Sequence, residues 1–262
     1  RQQLQLYINL LDQAPYSDTA RLAENDPDVI IEYGLEHEFL IRVAHPLGDV
    51  VTTDPKTALQ MAYVRNNSLH LFVLPGLICS LFLNARSIRM DMLQSMIALL
   101  YPFFRNEYLL HWREDGELPA AVERIASVLE EHGLVSREDD CLHGAAIHTY
   151  ASDMLAHLGQ TVMPSLERFY LTIRLLVQYG SGRLDADALS DLAHHTAKRL
   201  SLLYEFNSPE FFDKVVLRNF INQLRDTDLV WQDDDKALCF GDNLRALDDE
   251  ARRILSPDIS QA

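Results

Sequence analysis

The sequence predicts a mainly α fold, a helical region with two or three short β-hairpins arranged as winged-helix-like units. Three observations carry this reading. Apolar residues recur at helical spacing along most of the 262 residues. Start and stop signals flank those runs. A helix followed by two short apolar segments around a polar turn occurs at least twice.

Taken in order, Gln2 to Leu11 reads as a helix with Leu4, Ile8 and Leu11 along one face and no capping residue ahead of it. Phe39-Leu40-Ile41 and Val50-Val51 flank the turn His45-Pro46-Leu47-Gly48, a candidate hairpin. Leu69 to Leu83, LHLFVLPGLICSLFL, is the longest apolar run. It is shorter than the roughly 20 residues that span a bilayer and is interrupted by Pro75-Gly76, so it reads as a buried, broken core helix. Val122, Ile125 and Leu129 share the next face, with Pro119 near the start and Gly133 just past the end.

Leu134-Val135 and Cys141-Leu142-His143 then enclose a polar turn, the first clear hairpin. Pro164 opens a helix striped by Leu166, Phe169, Ile173 and Leu176 and closed by Gly180. Asp185 is suited to cap a third helix carrying Leu189, Leu192, Thr196 and Leu203. Ser208-Pro209-Glu210 has the hydroxyl cap, first-turn proline and acid of another helix start. Leu229-Val230-Trp231 and Ala237-Leu238-Cys239-Phe240 repeat the hairpin plan around QDDDK. Asn243 is expected to cap a last helix through Leu247, Ala251 and Ile254. No low-complexity linker divides the chain; Gly180-Ser181-Gly182 is the best joint, giving possible sub-units 1–180 and 183–262.

Composition narrows the function. Hydrophobic residues make up 48%, enough for a sizeable core. A net charge of −16 argues against nucleic acid, which needs a basic footprint, and against broad adhesion to anionic lipid. Three scattered cysteines, Cys79, Cys141 and Cys239, fit reduced thiols better than a disulfide framework. Residue 1 is Arg and the helical pattern begins at once, so the chain is expected to be a piece of a longer protein, itself soluble.

Several stretches resemble chemical motifs and read more simply. His45 and Asp49 have the types of a base and its orienting acid, but Pro-Leu-Gly between them is a turn. Cys141, His143 and His148 lack a second cluster that would complete a tetrahedral metal site, so no metal is expected. Gly180-Ser181-Gly182 lacks the strand and outer residues of a nucleophile elbow and reads as a helix cap and turn. Asp233-Asp234-Asp235 fits a solvated hairpin tip better than a cation site. No phosphate loop or dinucleotide fingerprint is present, and no cofactor is expected.

The charge is segregated. Lys56 to Arg113 holds six basic and two acidic residues, a net of +4, whereas the remainder holds 17 and 37, a net of −20. Within the basic stretch Arg65, Asn66, Asn67 and His70 are grouped at helical spacing. Arg65 is suited to a phosphate or carboxylate in bidentate fashion, with Asn and His adding hydrogen bonds. These four are the candidate substrate-binding or domain-interface residues.

The same stretch carries a family resemblance. Met61 to Leu77, MAYVRNNSLHLFVLPGL, resembles the bacterial membrane-bound glycerol-3-phosphate 1-O-acyltransferases. So do Leu100 to Trp112, LYPFFRNEYLLHW, Ala197 to Lys214, AKRLSLLYEFNSPEFFDK, and the opening Leu10 to Asp18, LLDQAPYSD. The blocks run nearly end to end in the family's order. The resemblance implies transfer of an acyl group from acyl-CoA or acyl carrier protein to the 1-hydroxyl of glycerol 3-phosphate, the first step of phospholipid synthesis. It also implies the cytoplasmic face of the bacterial inner membrane, with membrane association of the parent enzyme.

In that family the chemistry lies in an earlier domain, with a His-x4-Asp pair and blocks that hold the phosphate. No His-x4-Asp pair occurs here in a matching context, and Pro209-Glu210 is followed by Phe211-Phe212 rather than by Gly and a basic residue. The implied mechanism, a histidine base acting on a thioester donor without metal or covalent intermediate, therefore belongs to the other part. No catalytic residue is assigned, and the segment alone is expected to be inactive. Residues 1–262 read as the C-terminal region, packing on the catalytic domain of the same chain and meeting the acyl donor only through it. The alternative is a winged-helix-like protein-interaction or regulatory module without a substrate role.

Overall fold

The computed structural model describes all residues except 16, 18, 47, 109, 111–115, 205–212 and 255–262, and, within helices, all side chains except those of residues 62, 63, 66, 201–204 and 250–254. The chain opens with α1 (Gln2–Gln13), which buries Leu6, Ile8 and Leu10. Next comes α2 (Pro27–Glu36), started by the Asp26 side chain accepting from Asp28 N and by Pro27 in the first turn. β1 (Ile41–Val43) and β2 (Val50–Thr52) form the expected first hairpin, around a turn in which Gly48 N donates to His45 O. α3 (Pro55–Ser68) follows, and a 3-10 turn, Leu69–Leu71, leads into α4 (Val73–Leu81).

Every residue of α4 is buried, as the long apolar run predicts. The break lies earlier than expected, at Phe72. Pro75 sits in the first turn of α4, where its missing N–H would have had no intrahelical partner. Beyond α4 come β3 (Ser87–Arg89), α5 (Met90–Tyr108), α6 (Glu117–Glu131), β4 (Val135–Glu138) and β5 (Cys141–Gly144). The three strands form one antiparallel sheet in the order β3-β5-β4, with Ile88 and Arg137 both opposite Leu142. Gly133, at φ 69°, stops α6 by turning left-handed, and Leu134 N donates back to Leu129 O. Helix, strand, two helices and a closing hairpin are the winged-helix plan.

α7 (Tyr150–Gln160) is opened by a capping box, Thr149 with Ser152, and crosses α4. The plan then repeats. α8 (Met163–Tyr179) leads through an extended segment to α9 (Ala186–Tyr204), α10 (Lys214–Asp226), β6 (Val230–Gln232), β7 (Leu238–Phe240) and α11 (Asp242–Ile254). The extended segment takes the place of β3: Gly182 N donates to Leu238 O (2.9 Å), and Leu238 N donates to Leu184 O (2.7 Å). Asp228, at φ 56°, turns α10 into its hairpin at the position Gly133 holds in the first unit. Both later hairpins thus fall where the sequence placed them.

Of the three expected helix caps one is seen. Asp185 accepts from Ala188 N and starts α9. Ser208-Pro209-Glu210 lies outside the described residues; the described part of α10 begins after Asp213, whose side chain accepts from Val215 N. Asn243 does not cap the last helix, because α11 begins one residue earlier and places it in the first turn. Val122, Ile125, Leu129, Leu166, Phe169, Ile173, Leu176 and Leu189 are all buried. One continuous core joins the two units through an aromatic cluster, in which Phe169 stacks on Phe220 at 4.3 Å and touches Phe103 and Phe104.

Candidate functional site

Arg65, Asn66 and Asn67 lie near the end of α3, and His70 lies in the 3-10 turn beyond it. The helix is started by Asp54, whose Oδ1 accepts from Lys56 N (2.9 Å) and Thr57 N (3.1 Å). Hydrogen bonds from Thr57, side chain first and then backbone, and from Lys56 hold the Asp54 carboxyl below its ordinary range. Arg65 stands in the last turn, where a cation complements the helix dipole.

α3 buries none of its described residues. Arg65 and Asn67 are exposed, His70 is half-buried, and the side chain of residue 66 is outside the described set. Positions two apart on a helix do not face each other, so Arg65 and Asn67 project in different directions. The structure therefore gathers the candidates on one short stretch of surface but not around one enclosed point. A cavity of about 330 Å³ lies elsewhere, between the start of α1, the end of α6 and the start of α7, and includes Leu6, His132 and Tyr150.

Sequence reading missed a buried polar cluster that joins the second resemblance block, through Glu107 and Tyr108, to α8. Arg168, 2% exposed, pairs with Glu107 at the join of α5 and α8. Ser165 Oγ donates to the same Glu107 oxygen (2.6 Å) and lies 2.9 Å from Tyr108 Oη. Burial, reinforced by the Glu107 charge, pushes the Tyr108 hydroxyl up to about 12. On the same helix Glu167, also buried, has a carboxyl raised to about 7 by desolvation. One signal was available. Arg168 follows Leu166 and precedes Phe169 on the stripe that the sequence marks as core, and a charge beside that stripe requires a partner. That partner is 61 residues away and has no sequence signature. The Glu107–Arg168 pair with Ser165 and Tyr108 is a buried joint that sets how two helices meet.

The other motifs settle into structure. Asp233 Oδ1 accepts from Asp235 N and Ala237 N and so builds its hairpin turn. Among the described residues no three His, Cys, Asp or Glu side chains are grouped to hold a metal. Cys79, Cys141 and Cys239 are free, and burial pushes the Cys79 thiol up. Among the described residues no helix is long and apolar enough to cross a membrane.

Comparison with known proteins agrees along nearly the whole chain. A family described as the glycerol-3-phosphate acyltransferase C-terminal region matches residues 1–233. Proteins named glycerol-3-phosphate acyltransferase match over 98% of the chain: 36% identity over 260 residues in Xanthomonas campestris pv. campestris, 34% over 257 in Pseudomonas entomophila and 35% over 257 in Pseudomonas aeruginosa. The match takes up 29%, 31% and 31% of those proteins, so the chain spans about a third of their length.

Proposed function

Because this chain belongs to the family of glycerol-3-phosphate acyltransferase C-terminal regions, we propose that it is the non-catalytic C-terminal region of a glycerol-3-phosphate 1-O-acyltransferase. In this reading the enzyme carries a fatty acyl group from acyl-CoA or acyl carrier protein to the 1-hydroxyl of glycerol 3-phosphate. The hydroxyl oxygen forms the ester bond, the thioester bond breaks, and the proton passes by way of a base to the departing thiolate. That chemistry belongs to the catalytic domain of the same polypeptide, at the cytoplasmic face of the inner membrane. Residues 1–262 pack on that domain and support it. Arg65, Asn66, Asn67 and His70 are its interface or substrate-side candidates, with Arg65 the group suited to an anionic partner.

The observation that carries this reading is end-to-end identity without catalytic chemistry. Relatives match over 98% of the chain, yet the sequence holds no His-x4-Asp block in a matching context. The fold supports a packing role over nucleic-acid binding. A winged helix reads nucleic acid with its third helix and its hairpin. Here α6 is covered by α1, with Arg124 Nε donating to Gln13 O (3.1 Å) and Asn9 Nδ2 lying 2.9 Å from His132 Nε2. Both hairpin tips are acidic, Glu138-Asp139-Asp140 and Asp233-Asp234-Asp235.

A chimera tests the proposal. Residues 1–262 replace the matching third of the Pseudomonas aeruginosa relative, and transfer from palmitoyl-CoA to glycerol 3-phosphate is measured. The expected result is transfer by the chimera and none by residues 1–262 alone. Transfer by residues 1–262 alone, or a folded chimera without activity beside an active relative, overturns it.

A further inference from the structure

The region from Leu22 to Val64 is built unlike the rest of the molecule. It contains four regular elements, α2, β1, β2 and α3, yet among the described residues the buried core passes from Leu10 directly to Val73. Eleven of the eighteen large apolar side chains exposed among the described residues fall within these 43 positions. Leu59 (76%) and Val64 (64%) project from α3. Phe39, Ile41 and Val50 do so from the hairpin. All six residues of β1 and β2 are exposed. A lone two-stranded hairpin is marginal in water, and apolar side chains exposed at this density mark contact surface rather than solvated surface.

The charge of the region selects what covers it. Leu22 to Val64 carries eight acidic and two basic residues, a net of −6. Glu36, Glu38 and Asp49 are exposed around the apolar side chains. An anionic membrane is repelled by such a rim. A second copy of the same face meets like charge. The relatives, by contrast, have about two-thirds of their length outside the matched region, ample material for a complementary face.

We propose that residues 22–64 form a docking arm whose exposed apolar side chains are covered by a basic-rimmed apolar surface on the catalytic part of the same polypeptide. This rests on the family reading above and names the surface through which the C-terminal region holds its partner. The burial is hydrophobic, with Leu59, Val64 and Phe39 among the exposed side chains that supply the area. It is electrostatic at the edge, where the acids select the orientation.

The test uses the full-length protein in its native membrane preparation. A photo-crosslinking amino acid is placed singly at Leu59, at Val64 and, as a control, at Val215 on α10, and cross-linked peptides are identified by mass spectrometry. Leu59 and Val64 are expected to capture peptides outside residues 1–262 of the same chain, and Val215 to give at least tenfold less. Glu36→Lys with Asp49→Lys is expected to lower capture from Leu59 about tenfold, while the neutral pair Glu36→Gln and Asp49→Gln lowers it less. Capture of lipid alone, capture of residues 1–262 of a second copy, or no capture overturns the proposal. Acyl transfer is measured on the same preparations. An active enzyme with any of those outcomes refutes the arm and leaves the family reading standing. A folded, inactive enzyme with the expected cross-links refutes the family reading and leaves the arm's contact established.

Discussion

Gly159 of α7 lies directly against the backbone of Ser80 in α4: a Cβ at position 159 would stand 3.0 Å from both the Cα and the N of Ser80. A Cβ at Gly76 of α4 would stand 3.1 Å from the backbone O of Leu158 in α7, besides meeting the side chains of Thr161 and Val162, so the two helices cross with their backbones close. Gly159→Ala gains about 1 kcal/mol of helix propensity. It also forces main chain apart, and overpacking of this kind costs about 1–3 kcal/mol. The obstacle is backbone rather than a side chain that can swing away, so the clash is expected to win. Urea denaturation should show the variant less stable by up to about 2 kcal/mol, whereas Gly48→Ala, with open space around the added methyl, should show only the strain of its positive φ.

The Arg168–Glu107 pair is expected to matter most when broken from one side. Arg168 is 2% exposed and the Glu107 side chain 15%. Arg168→Met leaves a largely buried carboxylate without its cation, which typically costs about 3–5 kcal/mol. Adding Glu107→Gln removes the stranded charge, so the double variant should recover most of the loss. A double-mutant cycle by chemical denaturation checks this. Equal losses in the single and double variants would show that packing, not charge, dominates at this joint.

Glu167 gives a pH signature of the opposite sense to an ordinary carboxylate. Burial raises its carboxyl to about 7, above the unfolded value. The contribution is therefore fully present below the unfolded value and is lost as pH rises through 7. The ionised form is the one disfavoured by folding. Glu167→Gln should stabilise the protein by about 3 kcal/mol at pH 8, change it little at pH 4, and flatten the decline between. Stability profiles of the two proteins across that range, differing by a constant, would show that the Glu167 carboxyl titrates normally.

The parts of the fold that were legible in the sequence are those written locally. Asp185 and Gly133 mark helix ends through hydrogen bonds within a few residues, and the three hairpins lie around their own turns. β3 was not legible. It has three residues, Ser87–Arg89, and exists only because β5, more than fifty positions later, pairs with it. The same holds for the Glu107–Arg168 pair, which joins two helices through contacts the chain order does not show. The exposed arm was missed for another reason. Phe39, Ile41 and Val50 have the pattern of core residues, and only the structure shows that no neighbouring element covers them.

Arg65 and Asn67 are the candidates whose placement gives the sharpest separation of roles. Both are exposed on a helix that buries none of its described residues. For Asn67, an exposed substitution away from cap and core usually changes stability by about 0.5 kcal/mol or less. Arg65 also lies in the last turn of α3, where a cation is worth about 0.3–1 kcal/mol. Arg65→Ala and Asn67→Ala should therefore shift the urea midpoint of residues 1–262 only slightly, Arg65 the more of the two. In the full-length protein, a role at the interface or towards an anionic substrate predicts lower acyl transfer for Arg65→Ala at unchanged yield of folded protein. Arg65→Lys should restore only part of that activity, because an ammonium keeps the charge but not the bidentate fork. A normal KM and kcat in Arg65→Ala, with a clear loss of stability in residues 1–262, would make Arg65 a structural residue of α3 and nothing more.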